Sequence, residues 1–259
     1  LALLRWVQKG HSDFNPRRPE FPPLNPRFPA TPTKRIRVPG LEHAIVLIKD
    51  ESFNPTGTHK DRMAWEIARM YQKMLERKAQ GKLPGELPSV SVISSGNTAI
   101  ALGEMLHRFS LPEPRVLVDS KIRETDVRKI HQHHVEIFDV DLSKKPFSSD
   151  EILRLTINPR GIDLTRGRFE KELTRTFYDW MTFEILNQNP DYIIVPYGSG
   201  RLFDSLYQHY FEQLQRLKEH DPRLLKTEVL QKPIHLVGVT APVGSIASML
   251  SASFLPESS

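Results

Sequence analysis

Lys49-Asp50-Glu51-Ser52-Phe53-Asn54-Pro55-Thr56-Gly57-Thr58-His59-Lys60-Asp61-Arg62 follows a short apolar run, residues 44–49, and leads into a stretch of helical periodicity. The apolar run has the length of a strand, and Pro55 and Gly57 mark the turn after it. From about residue 59 to 79, Met63, Ile67, Met70, Tyr71 and Met74 fall on one face of a helix. Gly81 and Pro84 close that helix. Lys60 therefore stands at a helix start, where the macrodipole favours anions and a cation is electrostatically odd. A neutral amine is the form that Schiff-base chemistry requires. A surface lysine at a helix start is the commoner situation by frequency, so the rest of the chain has to decide between the two.

Two further loops have the same strand-loop-helix setting. Ser94-Ser95-Gly96-Asn97-Thr98 follows the β-rich run 90–93 and precedes a helix expected over about 99–109. Hydroxyls, an amide and free N–H groups at a helix N-terminus make an anion site suited to a carboxylate. Capping by Ser95 or Asn97 would explain one such residue, whereas here there are four around a glycine. Pro196-Tyr197-Gly198-Ser199-Gly200 lies between the strand 191–196 and a helix over about 202–219. Its glycines allow close backbone approach, and the helix start favours phosphate. It matches neither the dinucleotide fingerprint nor a P-loop.

Between these loops the pattern alternates. Strands are expected at 115–118, 135–140 and 235–239, and helices at 124–133 and about 169–187. Short loops between alternating strands and helices argue for parallel strands with helical crossovers. Residues 12–40 carry eight prolines and read as an extended arm on a domain surface, without regular helix or central strand. Residues 141–166 read as polar and irregular, and the tail from 241 shows no clear element. His131, His133 and His134 form an HxHH patch beside a helix end. No matching ligand spacing appears elsewhere, so they read as solvent-exposed or structural histidines, and no metal is expected.

Composition sets the outer limits. The 259 residues are 39% hydrophobic and 26% charged, enough for one large or two modest α/β domains. No apolar run approaches the ~18 residues of a membrane-spanning helix. There are no cysteines, which excludes disulfides, thiolate nucleophiles and cysteine-ligated metals. The N-terminus lacks the layout of a secretory leader and begins without Met, so the chain is expected to be trimmed or part of a longer one. A cytoplasmic location is expected. The net charge of +5 is dispersed, which reads as solvated surface and gives little support to nucleic-acid binding.

Taken in order, the loops resemble those of the β-family (fold type II) of pyridoxal-phosphate enzymes. KDESFNPTGTHKDR is similar to the family's lysine motif, above all its threonine synthase version. SSGNTA resembles its asparagine loop, VPYGSG its phosphate loop, IHLVGV the strand after that loop, and TPTKRIRVPGL its opening TPL segment. The likeness runs from residue 31 to residue 239. It implies a tryptophan synthase β-like α/β fold, with two three-layer α/β/α domains and a cofactor cleft between them. The large domain would combine residues 1–86, including an extended arm over 1–40, with 143–259. The small one would be 87–142, carrying the asparagine loop.

The resemblance also implies roles. Lys60 would hold pyridoxal 5'-phosphate as a Schiff base and act as general base and acid. Asn97 would bond the cofactor's phenolic oxygen. Ser94, Ser95, Gly96 and Thr98 would bind the substrate carboxylate. Gly198, Ser199, Gly200 and Arg201 would hold the phosphate. The implied activity is a lyase or transferase acting on an amino acid by elimination or replacement at Cβ or Cγ, in a homodimer.

The chain departs from the family pattern in places. His59 stands for Phe, Ala99 for the last glycine of the asparagine loop, and Arg201 for the second glycine after GSG. Arg201 either adds a charged contact to the phosphate or crowds the loop. After residue 239 the family continues through a region that supplies a partner to the pyridine nitrogen. Here Ser245, Ser248, Ser251 and Ser253 stand without the expected context. A non-catalytic binding or scaffold module on the same fold is therefore the alternative to an enzyme.

Overall fold

A computed structural model describes residues 28–143, 146–166, 177–198, 200–220 and 234–240. They belong to two compact units, one of residues 1–140 with 152–164 and one of residues 141–151 with 165–259.

The first unit begins with a two-stranded antiparallel ribbon, β1 (Thr33–Ile36) and β2 (Val46–Lys49), with Thr33 opposite Lys49 and Ile36 opposite Val46. The expected arm thus contains a strand. Its prolines do not prevent this, because Pro32 and Pro39 lie just outside β1, and both strands of a ribbon are edges. The part of the arm before residue 28 lies outside the described residues. A 3₁₀ turn (Glu51–Phe53) leads to helix α1 (Lys60–Ala79).

Strand β3 (Val90–Ile93), helix α2 (Asn97–Arg108), strand β4 (Arg115–Asp119), helix α3 (Glu124–His131) and strand β5 (Glu136–Val140) then alternate as expected. Helix α4 (Ser149–Leu155) and the two-residue strand β6 (Ile162–Asp163) follow. The sheet order is β5-β4-β3-β6 with all pairs parallel. Its central strands are buried, as both-face coverage by helices requires.

Helix α4 and β6 fall in the stretch expected to be irregular. What holds them is a buried polar knot. Ser91 Oγ lies 2.7 Å from Thr156 Oγ1, and Asn158 Nδ2 donates to Ser91 Oγ at 2.9 Å and to the Ser89 carbonyl at 3.0 Å. This pairing satisfies a serine inside a core strand.

The apolar face read for α1 is the observed one: Met63, Ile67, Met70 and Tyr71 are buried, and Met74 is half-buried. The helix α1 packs against α2, with Trp65 edge-on to Phe109 at 6.4 Å. That packing places the segment before residue 86 in one compact unit with the sheet, so the compact units have other bounds than the expected domains.

The second unit contains helix α5 (Asp179–Leu186), strand β7 (Tyr192–Pro196), helix α6 (Arg201–His220) and strand β8 (His235–Val239), with β7 parallel to β8. Ile193, Val195 and Leu206 form its core, against Ile185, Leu186, Leu202, Phe203, Ile234 and Leu236. Only the last part of the helix expected over 169–187 lies within the described residues. The tail serines 245, 248, 251 and 253 lie outside them. No helix among the described residues is long and apolar enough to cross a membrane.

Gly103 fixes the packing of α2. A Cβ built there would lie 1.9 Å from the His133 carbonyl oxygen and 2.6 Å from Val135 Cγ1. The neighbour is backbone and cannot swing away. Gly103→Ala is expected to destabilise the protein by about 1–3 kcal/mol, the cost of overpacking. Urea denaturation of the two proteins measures this.

Candidate active site

The turn between β2 and α1 is built around Glu51. Arg62, 2% exposed, grips its carboxylate with two bonds, Nε to Oε2 at 2.7 Å and Nη2 to Oε1 at 2.9 Å. Thr31 donates to Glu51 Oε1 at 2.6 Å, and Asn54 Nδ2 donates to Oε2 at 2.8 Å and to the Thr58 carbonyl at 2.9 Å. Burial raises the Glu51 carboxyl, but the bonds and charge of Arg62, helped by Thr31 and Asn54, bring it below its usual range. On the exposed side, Lys34 pairs with Asp50 at 2.6 Å. Bonds from Lys34 and then Ser52 hold the Asp50 carboxyl down to about 2.

This framework leads to Lys60, the first residue of α1 and half-buried. Its backbone N–H donates to Thr58 Oγ1 at 2.8 Å, so Thr58 satisfies one of the helix's orphan donors. His59 is half-buried too. Burial first, and then the charge of Lys60, pushes its imidazole down to about 4, so it is neutral at pH 7. Asp61 is fully buried and accepts from Thr56 N and Thr56 Oγ1, both at 2.8 Å. Burial outweighs those bonds and raises Asp61 to about 6.

The asparagine loop opens α2 in the same unit. Ser94, not Ser95 or Asn97, closes it: the buried Ser94 Oγ accepts from Gly96 N and Ala99 N, both at 3.3 Å. Ser94 is thereby committed to the loop. Ser95 and Thr98 are half-buried and Asn97 is exposed. Ala99 is fully buried, so the residue standing for the family's glycine has become core. The last turn of α2 lies beside the first turns of α1, where the charge of Arg108 acts on Asp61. Asn97 is at the other end of this 12-residue helix, roughly 16 Å along its axis at 1.5 Å per residue.

The third loop lies in the second unit. Gly200 has φ +77°, a conformation that favours glycine, and a Cβ there would meet the Tyr197 ring and hydroxyl from 3.0 Å. Gly198 has open space about its Cα, and Ser199 lies outside the described residues. Arg201 is the first residue of α6. Its guanidinium donates to the Thr165 carbonyl at 2.8 Å and lies 6.0 Å from the Phe177 ring. The Arg201 guanidinium is thus engaged with Thr165, and Gly200 before it keeps its positive φ. The Thr165 contact was not visible in the sequence, since 36 residues separate the pair.

By residue type alone, an amine (Lys60), an exposed amide (Asn97) and a glycine turn at a helix start (Gly198 and Gly200) are groups of the kinds that pyridoxal phosphate takes, and within the first unit Lys60 and Asn97 stand near opposite ends of α2. Thr56, Glu51, Asn54 and Arg62 were not singled out from the sequence, although they lie in the quoted motif and set its shape.

A family model described as "Pyridoxal-phosphate dependent enzyme" matches residues 27–246. Over 73 residues, 28% of this chain, the protein is 40% identical to O-ureido-L-serine synthase of Streptomyces lavendulae. That stretch spans 20% of the relative's length. The structure is similar to that of O-ureido-L-serine synthase, with TM-score 0.56, 18% identity, and 81% of this chain and 60% of that one covered. It is similar to a pyridoxal 5'-phosphate-dependent aspartate racemase, with TM-score 0.56, 16% identity, and 88% and 84% covered. It is also similar to diaminopropionate ammonia lyase from Escherichia coli, with TM-score 0.54, 13% identity, and 92% and 58% covered. These likenesses show the fold.

Arg62→Ala would leave the half-buried Glu51 without its cation and is expected to cost about 3 kcal/mol, toward the lower end for a broken buried pair, read by chemical denaturation. The Asp61 carboxyl binds its proton more tightly in the folded chain than its ordinary value of 3.8 allows. Its stabilising contribution is therefore fully present below about pH 4 and is lost as the pH rises through about 6. Glu51, being lowered, acts in the opposite sense and loses its contribution as the pH falls. Asp61→Asn removes the loss between pH 4 and 6, and the stability profile of the variant is expected to be flatter across that window.

Proposed function

The chain belongs to the family of pyridoxal-phosphate dependent enzymes, and from that premise we propose that it binds pyridoxal 5'-phosphate through Lys60 and acts on an amino acid. The observation that carries the reading is Lys60 itself, the first residue of α1, behind a turn fixed by the ion pair of half-buried Glu51 with buried Arg62.

In this reading Lys60 holds the cofactor's aldehyde and Asn97 donates to its phenolic oxygen. The backbone N–H groups of Gly198, Ser199, Gly200 and Arg201 hold its phosphate at the start of α6. The meeting of Asn97, Lys60 and the phosphate loop about one cofactor is part of the proposal. So is the division into a large domain, 1–86 with 143–259, and a small domain, 87–142, as a division by function.

When bound, the cofactor withdraws electrons from Cα of an amino acid. Lys60, released from the aldehyde, takes the Cα proton and returns it. Ser95 and Thr98, at the α2 start, hold the substrate carboxylate, with Gly96 leaving room for its approach, and Ser94 keeps that loop closed by accepting the Gly96 and Ala99 N–H groups. Neutral His59 adds no second positive charge beside Lys60 at pH 7. Elimination or replacement at Cβ or Cγ is the outcome we assign. The threonine synthase-like lysine motif supports it, as does the stretch similar to a synthase named for an O-substituted serine. A homodimer completes the reading.

The purified protein mixed with pyridoxal phosphate is expected to develop a visible absorption band that Lys60→Ala removes. A band that survives Lys60→Ala would overturn the assignment of the lysine. Exchange of the Cα hydrogen of an amino acid for deuterium, followed by NMR, then separates an enzyme from a binding module. Exchange that depends on Lys60 supports catalysis, and a bound cofactor without exchange for any amino acid refutes it.

A further inference from the structure

Three side chains that share no sequence motif meet in the first unit. They are His107 in the last turn of α2, Glu113 in the link to β4, and His134 in the turn before β5. Their ligand atoms all lie within 4.8 Å of one another, and all three residues are exposed. The two imidazoles stack with centroids 3.3 Å apart and planes 3° from parallel.

Each of the three stands on a stiff support. Helix α2 touches the β5 turn backbone to backbone, through Gly103 and the His133 carbonyl, one helical turn before His107. Glu113 lies between Pro112 and Pro114, whose rings fix φ on both sides of it. His134 has φ +57°, an uncommon conformation for a residue with a Cβ, and one that clusters at functional sites. The adjacent histidine is directed elsewhere. His133 Nδ1 lies 3.6 Å from Glu104 Oε2, on the carboxylate that also pairs with Arg108.

Two imidazoles and one carboxylate are the donors of a three-ligand zinc site, with water as the fourth. Metal–nitrogen bonds of about 2.0–2.1 Å at a tetrahedral angle put the two nitrogens about 3.3 Å apart. The ligand atoms here, all within 4.8 Å of one another, need only a small closure to reach that spacing. In-plane lone pairs of parallel rings do not converge, so binding requires the rings to tilt apart about their exposed side-chain bonds. Calcium and magnesium prefer six or more oxygens, whereas imidazole favours zinc, copper and nickel. We propose that His107, Glu113 and His134 form a surface site for a divalent transition-metal ion, zinc in the first place. Its three protein ligands join the end of α2, the link to β4 and the turn before β5. This site is separate from Lys60 and does not depend on the proposed function.

Titration calorimetry of the full chain with zinc chloride tests this. One equivalent is expected to bind. His107→Ala and His134→Ala are each expected to weaken binding by about 100-fold or more, since even outer-shell changes cost about 10–100-fold. His131→Ala, exposed but outside the set, is expected to leave the affinity unchanged. No binding, or an unchanged affinity in the His107→Ala/His134→Ala double variant, overturns the proposal. The wild-type protein gives a second readout. Zinc is expected to protect His107 and His134, but not His131, from acylation by diethyl pyrocarbonate, followed by mass spectrometry. Equal labelling with and without zinc overturns the proposal as well.

Discussion

The Arg62 guanidinium, 2% exposed, closes on Glu51 with two bonds and has the Phe28 ring 5.2 Å away. Drawing both charges away from water is costly, and the extra bonds from Thr31 and Asn54 help to offset that cost. Its structural effect is specific. Thr31 precedes β1, Glu51 and Asn54 lie in the turn after β2, and Arg62 is in the first turn of α1. One carboxylate therefore ties the ribbon, the turn and the helix start together, and Lys60 is carried between Asn54 and Arg62. The geometry proposed for a reactive lysine rests on this ion pair.

Buried polar groups set other positions in the first unit as well. Ser91 interrupts an apolar strand, and Thr156 and Asn158 answer it from the segment between α4 and β6. Ser94 closes the asparagine loop in the same way, by accepting two backbone N–H groups. In each case a side chain that would be costly unpaired selects one partner segment. The parallel sheet supplies the apolar contacts, and these hydrogen bonds decide which loop lies where.

The two ionisable residues that depart from the family pattern have local explanations. Burial and the neighbouring ammonium keep His59 neutral, so it occupies an aromatic position without adding charge. Arg201 begins α6 while its guanidinium engages Thr165 and Phe177, and the glycine turn before it keeps its positive φ at Gly200.

The sequence by itself determined what depends on near neighbours. Alternating apolar runs and helical faces are short-range patterns, and they gave the parallel strands, α1 with its buried face, and Lys60 and Asn97 at helix starts. The three loops, read in order, also identified the family. Only the tertiary structure decided what depends on residues far apart in the chain. Strand β1 exists because β2 pairs with it, and β6 because β3 lies beside it, although two residues carry no periodicity of their own. The direction of Arg201 depends on a carbonyl 36 residues away. His107, Glu113 and His134 have no motif spacing, and they meet because Gly103 lets α2 touch the turn before β5. Contacts of this kind are set by packing distance, which a linear pattern does not contain.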